Sequence, residues 1–359
     1  MKILLVRLRL LGDVVLTTPL IGALRRKFPD AHLSYLVEPA AAAVVRGNPH
    51  LTEVIVAPKR AGLARFLDDV ALARRLRRAG YDVAIDLHGG PRAAWLAWAT
   101  GAPRRIGYTI AGRSWMYTHR VPRPDDRLAR HSVLNQWDLV APLGVDPADP
   151  SQDPIEIPVD PSAARSVEAK LHALGIGQEH RLIVIHVSAG NPFRRWPAEA
   201  FVTLATRLAA GGARRHVVMT SGPSEAGAAS LITAAARERL GRDGYRVSDP
   251  ALDVAELRAL TGRAAVYIGG DSGPLHVAGA TTTPIVALFG PTLPERSMPW
   301  RDPRWFAEAV DAGPLPCRPC RQRVCVTADF RCLTGITPDQ VVDAAERALR
   351  SLDGDRGTT

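Results

Sequence analysis

Along most of this chain, short apolar runs alternate with longer segments whose apolar positions recur every three or four residues. The first kind reads as strand and the second as helix, because strand side chains alternate between faces whereas helix positions three and four apart share one. Lys2 to Arg7 opens the series as a strand. Beyond Gly12-Asp13, the spacing of Val14, Leu16, Leu20, Ala23 and Leu24 predicts one buried helix that ends near Pro29. Strands are predicted at Ala31 to Val37, Glu53 to Ala57, Tyr81 to His88 and Arg105 to Tyr108, with helices at Leu63 to Ala79, Arg92 to Thr100 and His131 to Leu143. A second series predicts helices at Ser162 to Leu174, Phe201 to Ala210, Ser224 to Leu240, Asp253 to Thr261 and Asp339 to Leu352, around strands at Leu182 to Val187 and His216 to Thr220.

Strands that alternate with helices imply mostly parallel, doubly wound sheets. Between the two series, Gly144 to Pro161 carries prolines at 147, 150, 154, 158 and 161 and reads as a linker. A chain of 359 residues fits two domains of roughly 150–180 residues each. The expected plan is α/β, with two Rossmann-like doubly wound domains facing a central cleft. They span 1–155 and 156–340, and 341–359 adds a terminal helix and a flexible tail.

The stretch Val266 to Thr292, VYIGGDSGPLHVAGATTTPIVALFGPT, has the clearest chemistry. An apolar run ends in Gly269-Gly270-Asp271-Ser272-Gly273, Pro274 opens a short helix, and Pro284 to Phe289 forms a second strand that closes at Gly290-Pro291. Glycines at such a turn let a ligand approach the backbone, Asp271 or Ser272 can cap the helix, and Pro274 suits a first turn that needs no N–H. Free amides at a helix start favour an anion, phosphate above all. The same unit also serves as plain scaffold in α/β proteins. A ligand site is favoured by His276, one helical turn beyond Ser272, and by the second Gly-Pro turn at the same sheet edge.

Apolar content of 46% and charged content of 23% describe an ordinary globular protein, so disorder is expected only from Asp353 to Thr359. The formal charge of +10 rests on 42 arginines and only four lysines, a surface that attracts acidic substrates, anionic headgroups or nucleic acid. Those arginines are spread out and lack aromatic interleaving or a nucleic-acid motif, so nucleic acid is not an expected partner. Met1-Lys2 leads straight into a strand without a signal-peptide pattern, and no run approaches the ~18 apolar residues that span a bilayer. A cytoplasmic protein with peripheral membrane contact is expected. The glycine loop after the first strand lacks both G-x-G-x-x-G and G-x-x-x-x-G-K-[ST], so neither NAD nor P-loop binding is supported and no cofactor is expected.

Cys317, Cys320, Cys325 and Cys332 crowd into one stretch. Their C-x2-C start suits zinc, but the spacing C-x2-C-x4-C-x6-C matches no standard finger. A reduced structural cluster or a redox-sensitive pair is the expectation, and no metal is assigned.

Four signatures stand together: R-x-x-x-x-G-D-V-V-L-T-T-P around Asp13, the loop SAGNPFRRWP, the block GGDSGPLHVAGA, and ALFGPT followed by the cysteine segment. Through them the chain resembles glycosyltransferase family 9, the bacterial lipopolysaccharide heptosyltransferases, over nearly its whole length. The resemblance implies a GT-B fold, an acceptor held by the N-terminal half and an ADP-activated sugar held by the C-terminal half. The usual donor is ADP-L-glycero-D-manno-heptose, transferred with inversion. Asp13 matches the family's catalytic aspartate, the general base; on its own sequence context it is equally placed to cap a helix.

On the donor side the resemblance implies Ser188, Arg194, Glu225, Asp271, Ser272, Gly273 and His276. Arg194 stands where many members have lysine, and Ser272 where threonine is usual. Glu225 falls where the family places an acid on the ribose hydroxyls, and also fits a plain acid at a helix start. Arg195 is expected to be a solvated neighbour, with Trp196 and Pro197 serving packing and helix start. Arg60, Arg65 and Arg120 are candidates for meeting an acidic glycolipid or glycan acceptor. The expected activity is heptose transfer to a lipopolysaccharide core precursor at the cytoplasmic face of the inner membrane. A GT-B-like nucleotide-sugar epimerase and an inactive nucleotide-sugar-binding protein are the alternatives.

Overall fold

The computed structural model describes residues 1–125, 129–187, 192–320 and 324–355. The chain divides into two compact units, Met1–Pro158 and Val159–Thr359.

In the first unit the strands are β1 (Lys2–Val6), β2 (His32–Val37), β3 (Glu53–Val56), β4 (Val83–Asp86), β5 (Arg104–Tyr108) and β6 (His119–Val121). They pair in the order β3-β2-β1-β4-β5-β6, every neighbour parallel. Central β1 is buried on both faces from Ile3 to Val6, as expected for a strand with helices on either side. The register sets Leu4 beside Ser34 on one flank and Ala84 on the other.

The segment after β1 departs from the expected single helix and forms two, Leu11–Val15 and Thr18–Lys27. Pro19 has no N–H to offer the Val15 carbonyl, so the ladder must stop there. Thr18 Oγ1 takes over the freed Val15 carbonyl at 2.8 Å, and Thr17 Oγ1 adds a bond to the Val14 carbonyl at 2.7 Å. Likewise the helix expected over His131 to Leu143 stops at Trp137, short of Pro142, and resumes only as a single tight turn at Ala141–Leu143.

The second unit repeats the plan. Its strands are β7 (Arg181–His186), β8 (Arg215–Thr220), β9 (Val247–Ser248), β10 (Val266–Gly270), β11 (Ile285–Phe289) and β12 (Ala307–Asp311). The order β12-β11-β10-β7-β8-β9, all parallel, is that of the first sheet when counted from β7. Leu204 and Leu208 of the Ala198–Ala210 helix join Val341, Ala345 and Leu349 of the final helix, Pro338–Asp355, over Ile185, Ile268 and Val286. Each fully buried leucine contributes about 1.5–3 kcal/mol. The strands that periodicity does not predict, β6, β9 and β12, are all outermost in their sheets, where short and polar strands are tolerated. Among the described residues no helix is long and apolar enough to cross a membrane.

Candidate functional site

In each sheet the chain goes from its first strand to one side and later returns to the other, leaving a crevice beyond the carboxyl ends of two adjacent strands. In the first unit these are β1 and β4, and in the second β7 and β10. The sequence signatures fall at these two places.

At the first, Val6 ends β1 beside Asp86 of β4. Arg7 follows Val6, is buried, and donates through Nη1 to the Leu87 carbonyl. Its Nη2 holds Asp13 Oδ2 at 2.6 Å, and the Leu10 amide donates to the same oxygen at 3.3 Å. Asp13 therefore sits inside the first turn of its helix and bonds back to the capping residue Leu10; it is not itself the cap. Both contacts fall on Oδ2, so Oδ1 has no partner among the described residues. The Asp13 side chain is 43% exposed, whereas that of Arg7 is 10% exposed.

Asp86 builds the turn that follows β4. It accepts from the amides of His88 and Gly89 at 2.8 Å each and from the Tyr117 hydroxyl at 2.6 Å. Burial raises its carboxyl pKa against those hydrogen bonds, and burial together with the nearby Asp86 raises the Tyr117 phenol. The turn presents His88, whose imidazole is pushed down to about 4 by burial first and by the Arg7 cation second. At neutral pH this ring is uncharged, and its buried Nδ1 has no partner among the described residues. Nearby in sequence, Arg92 ties Glu38 at 2.9 Å to Asp69 at 2.6 Å and donates to the Pro58 carbonyl at 2.7 Å. Sequence periodicity assigned no role to Arg7, Asp86, His88 or Tyr117. The one available signal is that Arg7 is the first letter of the R-x-x-x-x-G-D signature.

At the second crevice, Arg194 donates from Nη1 to Asp271 Oδ2 at 3.1 Å and to the Asp271 carbonyl at 3.4 Å. Thr292 Oγ1 donates to that same carboxylate oxygen at 2.6 Å. Here the exposures are reversed, 37% for the arginine and 7% for the carboxylate. Asp271 thus spends its charge on orienting Arg194; facing an anionic ligand it would repel it. Ser272 occupies the capping position of the Gly273–Gly279 helix but makes no capping bond, and its Oγ is buried without a partner among the described residues. Gly273 begins that helix and His276 is buried within it.

The cysteine segment is stapled over the turn after β11. Arg318 donates to the Thr292 carbonyl at 2.8 and 3.1 Å and pairs with Asp311, at the end of β12, at 2.7 Å, while the Cys320 amide reaches the Pro291 carbonyl at 2.9 Å. All four cysteines are free thiols. Burial and the three neighbouring thiols raise Cys332, whereas a hydrogen bond with Thr327 lowers Cys325. Among the described residues no group of three or more His, Cys, Asp or Glu side chains is arranged to hold a metal.

Other sequence candidates are placed as follows. Glu225 is buried, and its carboxylate receives Arg195 Nη2 at 2.6 Å and Ser224 Oγ at 2.8 Å. Arg195 is 40% exposed, as expected of a solvated neighbour, and it also supplies the counter-ion that a carboxylate buried this deeply needs. Trp196 does pack: it meets the Phe201 ring edge-on at 5.0 Å and donates to the Ile336 carbonyl at 3.0 Å. Arg60 is held by Asp68, and Arg120, on outermost strand β6, donates to the Ser114 carbonyl at 3.0 Å; neither bonds to the Arg7–Asp13 pair. Ser188 lies outside the described residues.

Comparison with known proteins places this geometry among relatives. The family model described as Glycosyltransferase family 9 (heptosyltransferase) matches residues 70–330. The chain is 29% identical to lipopolysaccharide heptosyltransferase 3 of Escherichia coli over 325 residues, covering 88% of this chain and 91% of the relative. A family 9 glycosyltransferase from Veillonella parvula superposes with a TM-score of 0.84 at 25% identity, covering 98% of this chain and 97% of that one. The E. coli ADP-heptose lipopolysaccharide heptosyltransferase II superposes at 0.79 with 20% identity, covering 98% of this chain and all of its own. The two parallel six-stranded sheets with flanking helices are the GT-B architecture of these structures.

Proposed function

The chain belongs to glycosyltransferase family 9, the heptosyltransferases, and from that premise we propose that it transfers heptose from ADP-heptose to a hydroxyl of a lipopolysaccharide core or related glycan, with inversion and with Asp13 as the base. The observation that carries this reading is the pair of complementary crevices: one offers an exposed carboxylate backed by Arg7, the other an exposed guanidinium backed by Asp271.

In the proposed reaction the acceptor hydroxyl gives its proton to Asp13 Oδ1 as its oxygen attacks the anomeric carbon. The bond from that carbon to the ADP oxygen breaks, and the electron pair leaves on the diphosphate. A positioned carboxylate contributes on the order of 10²–10⁴ in rate. Arg7 keeps the other oxygen engaged and fixes the direction of Oδ1. Neutral His88 adds hydrogen-bonding capacity without placing a competing charge beside the base. The Nε and Nη2 donors of Arg194, the Ser272 hydroxyl and the amide of Gly273 meet the charge that gathers on the leaving diphosphate, donors fixed before the reaction begins. Glu225 supports the ribose side through Arg195, the exposed member of its pair, while Arg60 and Arg120 serve an acidic acceptor whose lipid anchor places the reaction at the cytoplasmic face of the inner membrane.

Calorimetric binding of ADP against UDP, GDP and NAD, on wild type and Arg194→Ala, tests the donor half. Selective ADP binding that the substitution weakens supports the assignment, and preference for UDP or indifference to Arg194 overturns it. Incubation of the nucleotide sugar without acceptor tests the other half, because interconversion of free nucleotide sugars under those conditions would mean an epimerase.

A further inference from the structure

The helix Gly62–Ala79 has its polarity reversed. At 100° per residue, Leu63, Phe66, Leu67, Val70, Arg74, Arg77 and Arg78 share a sector of about 120°. Leu72 and Leu76 are buried on the opposite side. The helix's two acids also point inward, Asp68 to Arg60 and Asp69 to Arg92. The outward stripe thus has no acid. Its first half exposes Leu63 at 74%, Phe66 at 62% and Leu67 at 58%, a cost in water that ordinary surface helices avoid.

In its second half the stripe becomes one wall of a groove of about 520 Å³, lined by Arg74, Arg77, Arg78, Trp98, Gly101 and Arg105. Most arginines of the first unit are committed to acids or carbonyls, as Arg7, Arg25, Arg60, Arg75 and Arg92 are. Arg74, Arg77 and Arg78 have no acidic or hydrogen-bonding partner among the described residues. Arg105 is held by the Met116 and Ala102 carbonyls and forms the floor. Trp98 borders the groove, is exposed, and carries Trp115 against it edge-on at 5.8 Å.

We propose that this stripe is a membrane-docking surface in which the phosphate of an anionic phospholipid headgroup enters the Arg74–Arg77–Arg78 groove. Leu63, Phe66 and Leu67 then enter the acyl boundary, and Trp98 lies at the headgroup level, where indole rings are favoured. Charge complementarity selects the anionic lipid: three uncommitted cations with no acid between them gain about fivefold in affinity each near such a surface. The exposed aliphatic half favours lipid over a nucleic-acid backbone, which would leave those side chains in water. The proposal rests on the membrane-face part of the transferase reading but needs neither donor nor acceptor to be tested.

The test is flotation of the full chain with phosphatidylcholine vesicles, with and without phosphatidylglycerol. Binding is expected only with phosphatidylglycerol. The triple variant Arg74→Gln/Arg77→Gln/Arg78→Gln should lower vesicle affinity about a hundredfold, and Phe66→Ser/Leu67→Ser about tenfold. Brominated acyl chains should quench wild-type fluorescence more than that of Trp98→Phe. ADP binding by calorimetry should be unchanged in all three, which also reports that they are folded and separates this surface from the donor site. Equal binding to both kinds of vesicle, full binding by the triple variant, or capture of inorganic phosphate or a single-stranded RNA without vesicle binding would each overturn the proposal.

Discussion

The two crevices are built from the same pair of side chains turned inside out. At the first switch point a buried arginine stands behind an exposed carboxylate, and at the second a buried carboxylate stands behind an exposed arginine. The sheets share one strand order, but the pairs are assembled differently: Arg7 and Asp13 both follow β1, whereas Arg194 follows β7 and Asp271 follows the adjacent β10. On the proposed reading each ion pair has a working member and a supporting member, and burial distinguishes them. The exposed partner is free to meet a substrate, whereas the buried one has spent its hydrogen bonds on the protein, as Asp271 has on Arg194 and Thr292.

The comparison breaks most visibly at Asp13. Asp13→Asn should lower transfer by roughly 10²–10⁴ while ADP still binds, measured by turnover and calorimetry on the same sample; retained turnover would remove Asp13 as the base. Arg194→Ala should weaken ADP roughly ten- to a hundredfold, the worth of one charge-assisted hydrogen bond. Arg194→Lys should recover only part of this, since lysine restores the charge without the planar fork. The difference in burial should show up in stability. Asp271→Ala should cost about 1 kcal/mol in denaturant unfolding, since it strands the Thr292 donor while the half-exposed Arg194 turns to water, and Arg194→Ala should cost more because it leaves a buried carboxylate without its counter-ion. Equal losses would mean that burial does not separate the two roles.

The smallest effect is on pH dependence. His88 beside the first crevice and His186 at the end of β7 are both pushed down to about 4, chiefly by burial, and His186 also holds Thr220 Oγ1 at 2.9 Å. A histidine whose folded pKa is depressed binds fewer protons in the folded than in the unfolded state. Its stabilisation is complete above the unfolded value of about 6.5 and is lost as the pH falls through about 4. Thermal unfolding should therefore shift downward over that window, and less so in His186→Asn.

Much of this molecule was legible before its structure. Apolar periodicity located the central strands and the long helices, because β1, β7, β10 and β11 are buried on both sides and read as unbroken apolar runs. It failed where the determinant is a single backbone atom, as at Pro19, or where a strand is outermost and needs no apolar face, as for β6 and β12. Asp13, Arg194 and the Asp271-Ser272-Gly273 turn were singled out in sequence as candidates, since they lie in recognisable signatures. Arg7, His88 and Thr292 were not, since each owes its place to a partner far away in the chain or to a turn that another residue folds. The pairing of exposed Arg195 was missed for the same reason, its acid being 30 positions away at Glu225.

What the sequence determined by itself is the class of fold, the family and the set of candidate site residues, because periodicity and short signatures are local properties of the chain. Only the tertiary structure decided which member of each charged pair faces outward, that Asp271 is buried against Arg194 and Thr292, and that the Gly62–Ala79 helix turns its acids in while Leu63, Phe66 and Leu67 face out. Those outcomes depend on burial and on pairing between distant residues, and both exist only once the sheets have formed.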